Sequence, residues 1–83
     1  MNIYYKMLDY GDEEWVMAGQ TFDGEEPDTM DAQNAAKHFF NSRNGYEVAR
    51  DVPWKIEVKV NDRIKNFNVE IITVPDFLAR EIK

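Results

Sequence analysis

The sequence predicts an α+β fold: a four-stranded antiparallel sheet in the order β-β-α-β-β, one helix packed on one face, and a short C-terminal segment. Three observations predict it. Residues 54–60 alternate apolar and polar without a break, and the tight-turn pair Asn61-Asp62 follows them. A single stripe of alanine and phenylalanine at helical spacing separates two β-rich halves.

Asn2 to Leu8 is aromatic and β-branched and reads as a strand. Tyr10-Gly11-Asp12 supplies a turn. Glu14 to Phe22 returns as a second strand, with Trp15, Met17 and Gly19 on one face and Val16, Ala18 and Phe22 on the other. The short link makes the pair an antiparallel hairpin. Asp28 and Thr29 then open the long helix, since either side chain accepts a hydrogen bond from a free first-turn N–H. Asp28 and Asp31 also sit at the positive end of the helix dipole. Ala32, Ala35, Ala36, Phe39 and Phe40 form its apolar stripe, with Gln33, Asn34, Lys37, His38 and Asn41 outward. Asn44-Gly45 ends the helix, Gly45 being able to take positive φ.

Tyr46 to Ala49 reads as a short extended piece. The strand Trp54–Val60 follows, and the chain returns through 64–73 with Phe67, Val69 and Ile71 inward and Asn68 and Glu70 outward. Residues 76–83 fit either a helical turn capped by Asp76 or an edge strand. Eighty-three residues make one domain, 1–83, with no repeat and no linker.

Hydrophobic content of 43% and aromatic content of 13% exceed what a disordered tail carries. The absence of cysteine removes disulfides, thiolate chemistry and cysteine-type zinc sites, and fits a cytoplasmic protein. No signal peptide and no membrane-spanning stretch is expected. The net charge of −6 is polarised: residues 1–31 hold nine acids and one base, whereas residues 32–83 hold seven acids and nine bases. Such a field repels nucleic acid at the acidic end and attracts basic surfaces, or simply keeps a small protein soluble.

Each candidate for chemistry has a plain alternative. His38 is the only histidine, and a general base or metal site needs more partners than one imidazole. Asp51, Glu57 and Lys59 superficially match the carboxylate-plus-lysine pattern of metal-dependent nucleases, yet Lys55-Glu57-Lys59 is also the wet face of an ordinary strand. The loop Asp23-Gly24-Glu25-Glu26-Pro27-Asp28 lacks the ligand alternation of a calcium site. Lys55, Lys59, Arg63 and Lys65 share one hairpin but are interrupted by Glu57 and Asp62, so no basic-aromatic stripe is read there. The expectation is a non-catalytic protein with no metal, no cofactor and no direct nucleic-acid contact.

What remains is surface. A helix covers one face of a sheet, which leaves Tyr4, Trp15, Met17 and Trp54 as candidates for the other, unless Phe77, Leu78 and Ile82 fold over it. The expected partner-binding residues are Asp12, Glu13, Glu14, Trp15, Asp23, Glu25, Glu26 and Asp28. They would dock on a protein with a basic surface, such as one meant for nucleic acid. The alternative is a structural or regulatory accessory domain acting as a homodimer.

The run Trp15-Val16-Met17-Ala18-Gly19-Gln20-Thr21-Phe22, the acidic loop after it and the helix Asp31-Ala32-Gln33-Asn34-Ala35-Ala36-Lys37 resemble small phage-encoded anti-defence proteins, the anti-CRISPR inhibitors. Small size, acidic bias and missing cysteine belong to the same resemblance, which covers layout and transfers no motif residue. It implies an inhibitor that binds an effector complex and blocks DNA entry or nuclease action. Glu13, Glu14, Asp23, Glu25, Glu26 and Asp28 would then imitate phosphates.

Overall fold

Strand β3 (Trp54–Val60) is the middle of a sheet whose every neighbouring pair is antiparallel. The computed structural model describes residues 1–21, 24–73 and 76–82. Around β3 lie β1 (Asn2–Met7), β2 (Val16–Gln20), β4 (Arg63–Thr73) and β5 (Asp76–Glu81), in the spatial order β2-β1-β3-β4-β5. Helix α1 (Thr29–Ser42) connects the β1–β2 pair to β3 by crossing one face.

The alternation read in the sequence decides which face the helix takes. Trp54, Ile56, Val58 and Val60 are fully buried, as are Ile3, Tyr5 and Met7 on the neighbouring β1. Ala32, Ala35, Ala36 and Phe39 of α1 close over them. Three alanines without bulk let the helix axis approach the sheet, and Phe39 fills the wider end against Trp54, ring centroids 5.0 Å apart and nearly perpendicular.

The helix start is fixed by a reciprocal pair. Asp28 Oδ1 accepts from the Asp31 N–H and Asp31 Oδ2 accepts from the Asp28 N–H, both at 3.0 Å. Asp31 is almost wholly buried there, and burial raises its carboxyl above the ordinary aspartate range.

Several expectations are corrected. The sheet has five strands rather than four, because 76–81 pairs along β4 with Phe67 opposite Glu81 and Ile71 opposite Phe77. That register sends Phe77 and Ala79 under the helix, so this segment widens the sheet instead of folding across its other face. Trp54 belongs to the core and not to the open face, in phase with Ile56 and Val58. Residues 46–49 are not extended: Gly45–Asp51 forms a 3-10 segment, and the Trp54 indole N–H donates to the Val48 carbonyl at 3.2 Å. A buried indole needs an acceptor, and this turn supplies it. Asn44, not Gly45, takes the left-handed conformation, at φ 59°. Gly45 is needed for space, since a Cβ there would meet the Phe39 ring at 2.6 Å and the Phe39 carbonyl at 2.8 Å. The link between β1 and β2 is longer than a tight turn and includes a 3-10 turn at Leu8–Tyr10. Phe22, assigned above to the second strand, lies outside the described residues. Among those described, no helix is long and apolar enough to cross a membrane.

Asp28→Ala removes one half of the helix cap and is expected to cost about 1 kcal/mol in denaturant unfolding. Gly45→Ala is expected to cost more, about 1–3 kcal/mol, because the obstacle includes backbone that cannot swing aside. A Gly45→Ala protein as stable as the parent would refute the crowding at this turn.

Candidate partner-binding surface

With α1 on one side, the alternate residues of every strand are left on the other. Tyr4 and Lys6 of β1, Met17 of β2 and Lys55, Glu57 and Lys59 of β3 point there, followed by Asn66, Asn68 and Glu70 of β4 and Leu78 and Arg80 of β5. The register sets one row across four strands: Met17 beside Tyr4, Tyr4 beside Lys59, Lys59 beside Ile64. Trp15, just before β2, lies against this row. Lys6 Nζ is 4.6 Å and Lys59 Nζ 4.8 Å from its ring centroid, and Lys59 Nζ is also 5.4 Å from the Tyr4 ring.

The eight expected docking residues are not gathered into one site. Asp12, Glu13, Glu14 and Trp15 precede β2, whereas Glu25, Glu26 and Asp28 follow it. The five residues of β2 put about 17 Å between the two groups. A close fit seats the second group: a Cβ on Gly24 would collide with Thr21 and Val60. Asp23 lies outside the described residues.

Three of the eight have internal work. Asp12 forms a two-pronged ion pair with Arg43, at 2.7 and 2.8 Å, and accepts the Met7 N–H at 3.0 Å. That pair ties the β1–β2 link to the end of α1. Glu26 receives Lys65 Nζ at 3.0 Å, and Lys65 is shared with Glu81. Asp28 caps the helix. Glu13, Glu14 and Glu25 are exposed and form no ion pair among the described residues. Sequence reasoning missed this division because a carboxylate's partner is set by which strands become neighbours.

The candidates for chemistry are also placed. His38, read above as outward, is half-buried, and its Nδ1 shares a 2.8 Å hydrogen bond with the Tyr5 hydroxyl. Burial raises the Tyr5 phenol above its ordinary range, so the hydroxyl keeps its proton at neutral pH. Arg43 lies over the Tyr5 and Phe39 rings, which joins this pair to Asp12. Asp51 receives the Tyr10 hydroxyl at 3.3 Å, while Glu57 stands opposite Lys6 on the helix-free face. Glu26 and Asp28 of the 23–28 loop are turned to a lysine and to a helix end. The residues missed entirely are Lys6 and Lys59 as neighbours of Trp15. A lysine in phase with Tyr4 was the available signal, but the pairing of β1 with β3 was not.

No known protein family matches this chain, and neither does any curated protein or solved structure. The reading of the surface therefore rests on its own geometry.

Hydrogen bonding to Arg43 in the first place, then to the Met7 N–H, holds the Asp12 carboxyl below its ordinary value, with burial opposing. A depressed carboxylate gives stability that is present above the unfolded value, about pH 4, and is lost as pH falls through the folded one. Asp12→Asn is expected to lower stability at pH 7 by about 2 kcal/mol. It is also expected to flatten the loss of stability below about pH 4. Denaturant midpoints across that range check both, and an unchanged acid limb would show that the ion pair does not carry it.

Proposed function

We propose that this chain is a non-catalytic binding protein, an inhibitor acting in the cytoplasm that docks an acidic and aromatic flank onto a basic site of a protein partner. The observation that carries it is that three of the expected docking carboxylates have no ion pair among the described residues. Glu13 and Glu14 stand exposed beside Trp15 at one end of β2, and Glu25 stands exposed at the other. All three are available to a cation brought from outside. β2 is an edge strand, so one of its sides has no strand partner among the described residues.

This reading agrees with the resemblance to anti-CRISPR inhibitors and narrows it. Asp12 and Asp28 cannot imitate phosphates without giving up Arg43 and the helix cap. Acidic mimicry falls to Glu13 and Glu14, with Trp15 as the apolar anchor beside them, and to Glu25 at the other end of β2. Like charges along an edge steer a basic partner and speed its arrival more than they tighten the final complex.

A second reading, an accessory domain that acts as a homodimer, draws on the same edge. Met17 is 53% exposed there, although the register shift between Ile3 and Tyr4 distorts the pairing of β1 with β2 and makes the edge a poor template. Light scattering separates the two readings.

Capture of a partner from cell lysate by the immobilised chain is expected at low salt and is expected to be reversed by high salt. The double change Glu13→Lys with Glu14→Lys is expected to abolish capture while leaving the unfolding free energy within about 0.5 kcal/mol of the parent. Capture that survives both salt and charge reversal would sink the acidic reading.

A further inference from the structure

The helix-free face has a character opposite to that of the β2 flank. Four cations, Lys6, Lys55, Lys59 and Arg80, share it with Glu57, Glu70 and Asp76, in a chain of formal charge −6. Asp76 is at the far strand, hydrogen-bonded by Thr73 at 3.1 Å. The opposite end of the face holds two half-buried aromatic rings, Tyr4 and Trp15, with two of the cations within 5 Å of the Trp15 ring.

We propose that the Tyr4–Trp15 end of this face binds single-stranded RNA without strong sequence preference. Single strands are held by side chains of two kinds placed together, aromatic faces that stack bases and cations that follow the backbone. Trp15 and Tyr4 are the stacking rings; Lys6 and Lys59 are the phosphate partners. The row Met17–Tyr4–Lys59–Ile64 crosses three strand spacings, about 14 Å, which gives room for two or three bases. Met17 and Ile64, 53% and 52% exposed, are apolar shelves at its ends.

The polar rim favours ribose. The Asn2 amide donates to the Tyr4 hydroxyl at 3.2 Å, which leaves the hydroxyl proton for an outside acceptor. Gln20 in turn donates to Asn2 at 3.4 Å and steadies it. A 2′-hydroxyl both donates and accepts, so it fits this neutral rim, whereas deoxyribose offers nothing there. Glu13 and Glu14 lie just beyond Trp15 and oppose an anionic strand. The RNA reading is therefore separable from the acidic docking proposed above.

Fluorescence anisotropy with a labelled short oligouridylate at low salt tests it. Binding is expected, with Trp15→Ala weakening it about tenfold. Lys59→Gln is expected to reduce the slope of log affinity against log salt by about 0.7, the loss of one phosphate contact to a single strand. Glu13→Gln with Glu14→Gln, which weakens protein docking, is expected to tighten RNA. The matched deoxy oligonucleotide is expected to bind more weakly. No binding at low salt, indifference to Trp15→Ala in a variant whose circular dichroism is unchanged, or equal affinity for the deoxy strand would overturn the proposal. Failure of the lysate capture with oligouridylate binding intact would remove only the acidic docking.

Discussion

Burial of the Trp54 ring beneath Phe39 is the contact on which the rest of this structure depends. Trp54 opens the central strand, so its position fixes the phase of Ile56, Val58 and Val60 and with it the face that α1 covers. Its indole N–H donates to the Val48 carbonyl at 3.2 Å and so ties the 3-10 turn of residues 45–51 to the central strand. Phe77 packs near the same ring, centroids 6.3 Å apart, which places the apolar residues of β5 under the helix. One large side chain thus orders four elements, the means by which a chain of 83 residues obtains a core from few positions.

Acidic side chains in this protein have two separate careers. Asp12, Glu26, Asp28 and Asp31 are spent on the fold, pairing with Arg43 and Lys65 or satisfying backbone N–H groups. The Asp12–Arg43 pair matters most among them, since it joins the β1–β2 link to the end of α1 and lies beside the Tyr5–His38 hydrogen bond. These contacts lock the helix to the first hairpin where the apolar stripe has run out. Glu13, Glu14 and Glu25, without an ion pair among the described residues, stand at the two ends of an edge strand.

The same sheet separates charge by side. Cations alternate with core residues along β1 and β3, so burial of one set drives the other onto the helix-free face. Trp15 sits at the seam between that face and the exposed acids. A partner approaching from the edge meets carboxylates first, and a ligand approaching from the face meets lysine and aromatic rings.

The sequence by itself determined the α+β class, the helix and its cap, the β3–β4 hairpin and the inward set of β3. In each case the signal is local: a period of two, a period of 3.6, or a capping residue within one turn. Charge asymmetry was equally plain from position alone. Only the tertiary structure decided that residues 76–81 are a fifth strand, that 46–49 coil, and that Trp54 faces the helix. It also decided which acids are consumed and that Lys6 and Lys59 come together at Trp15. The last of these depends on β1 lying between β2 and β3, and no periodicity records which strands become neighbours. Trp54 shows the boundary well: its alternation with Ile56 and Val58 was legible, but the side on which a helix would cover it was not.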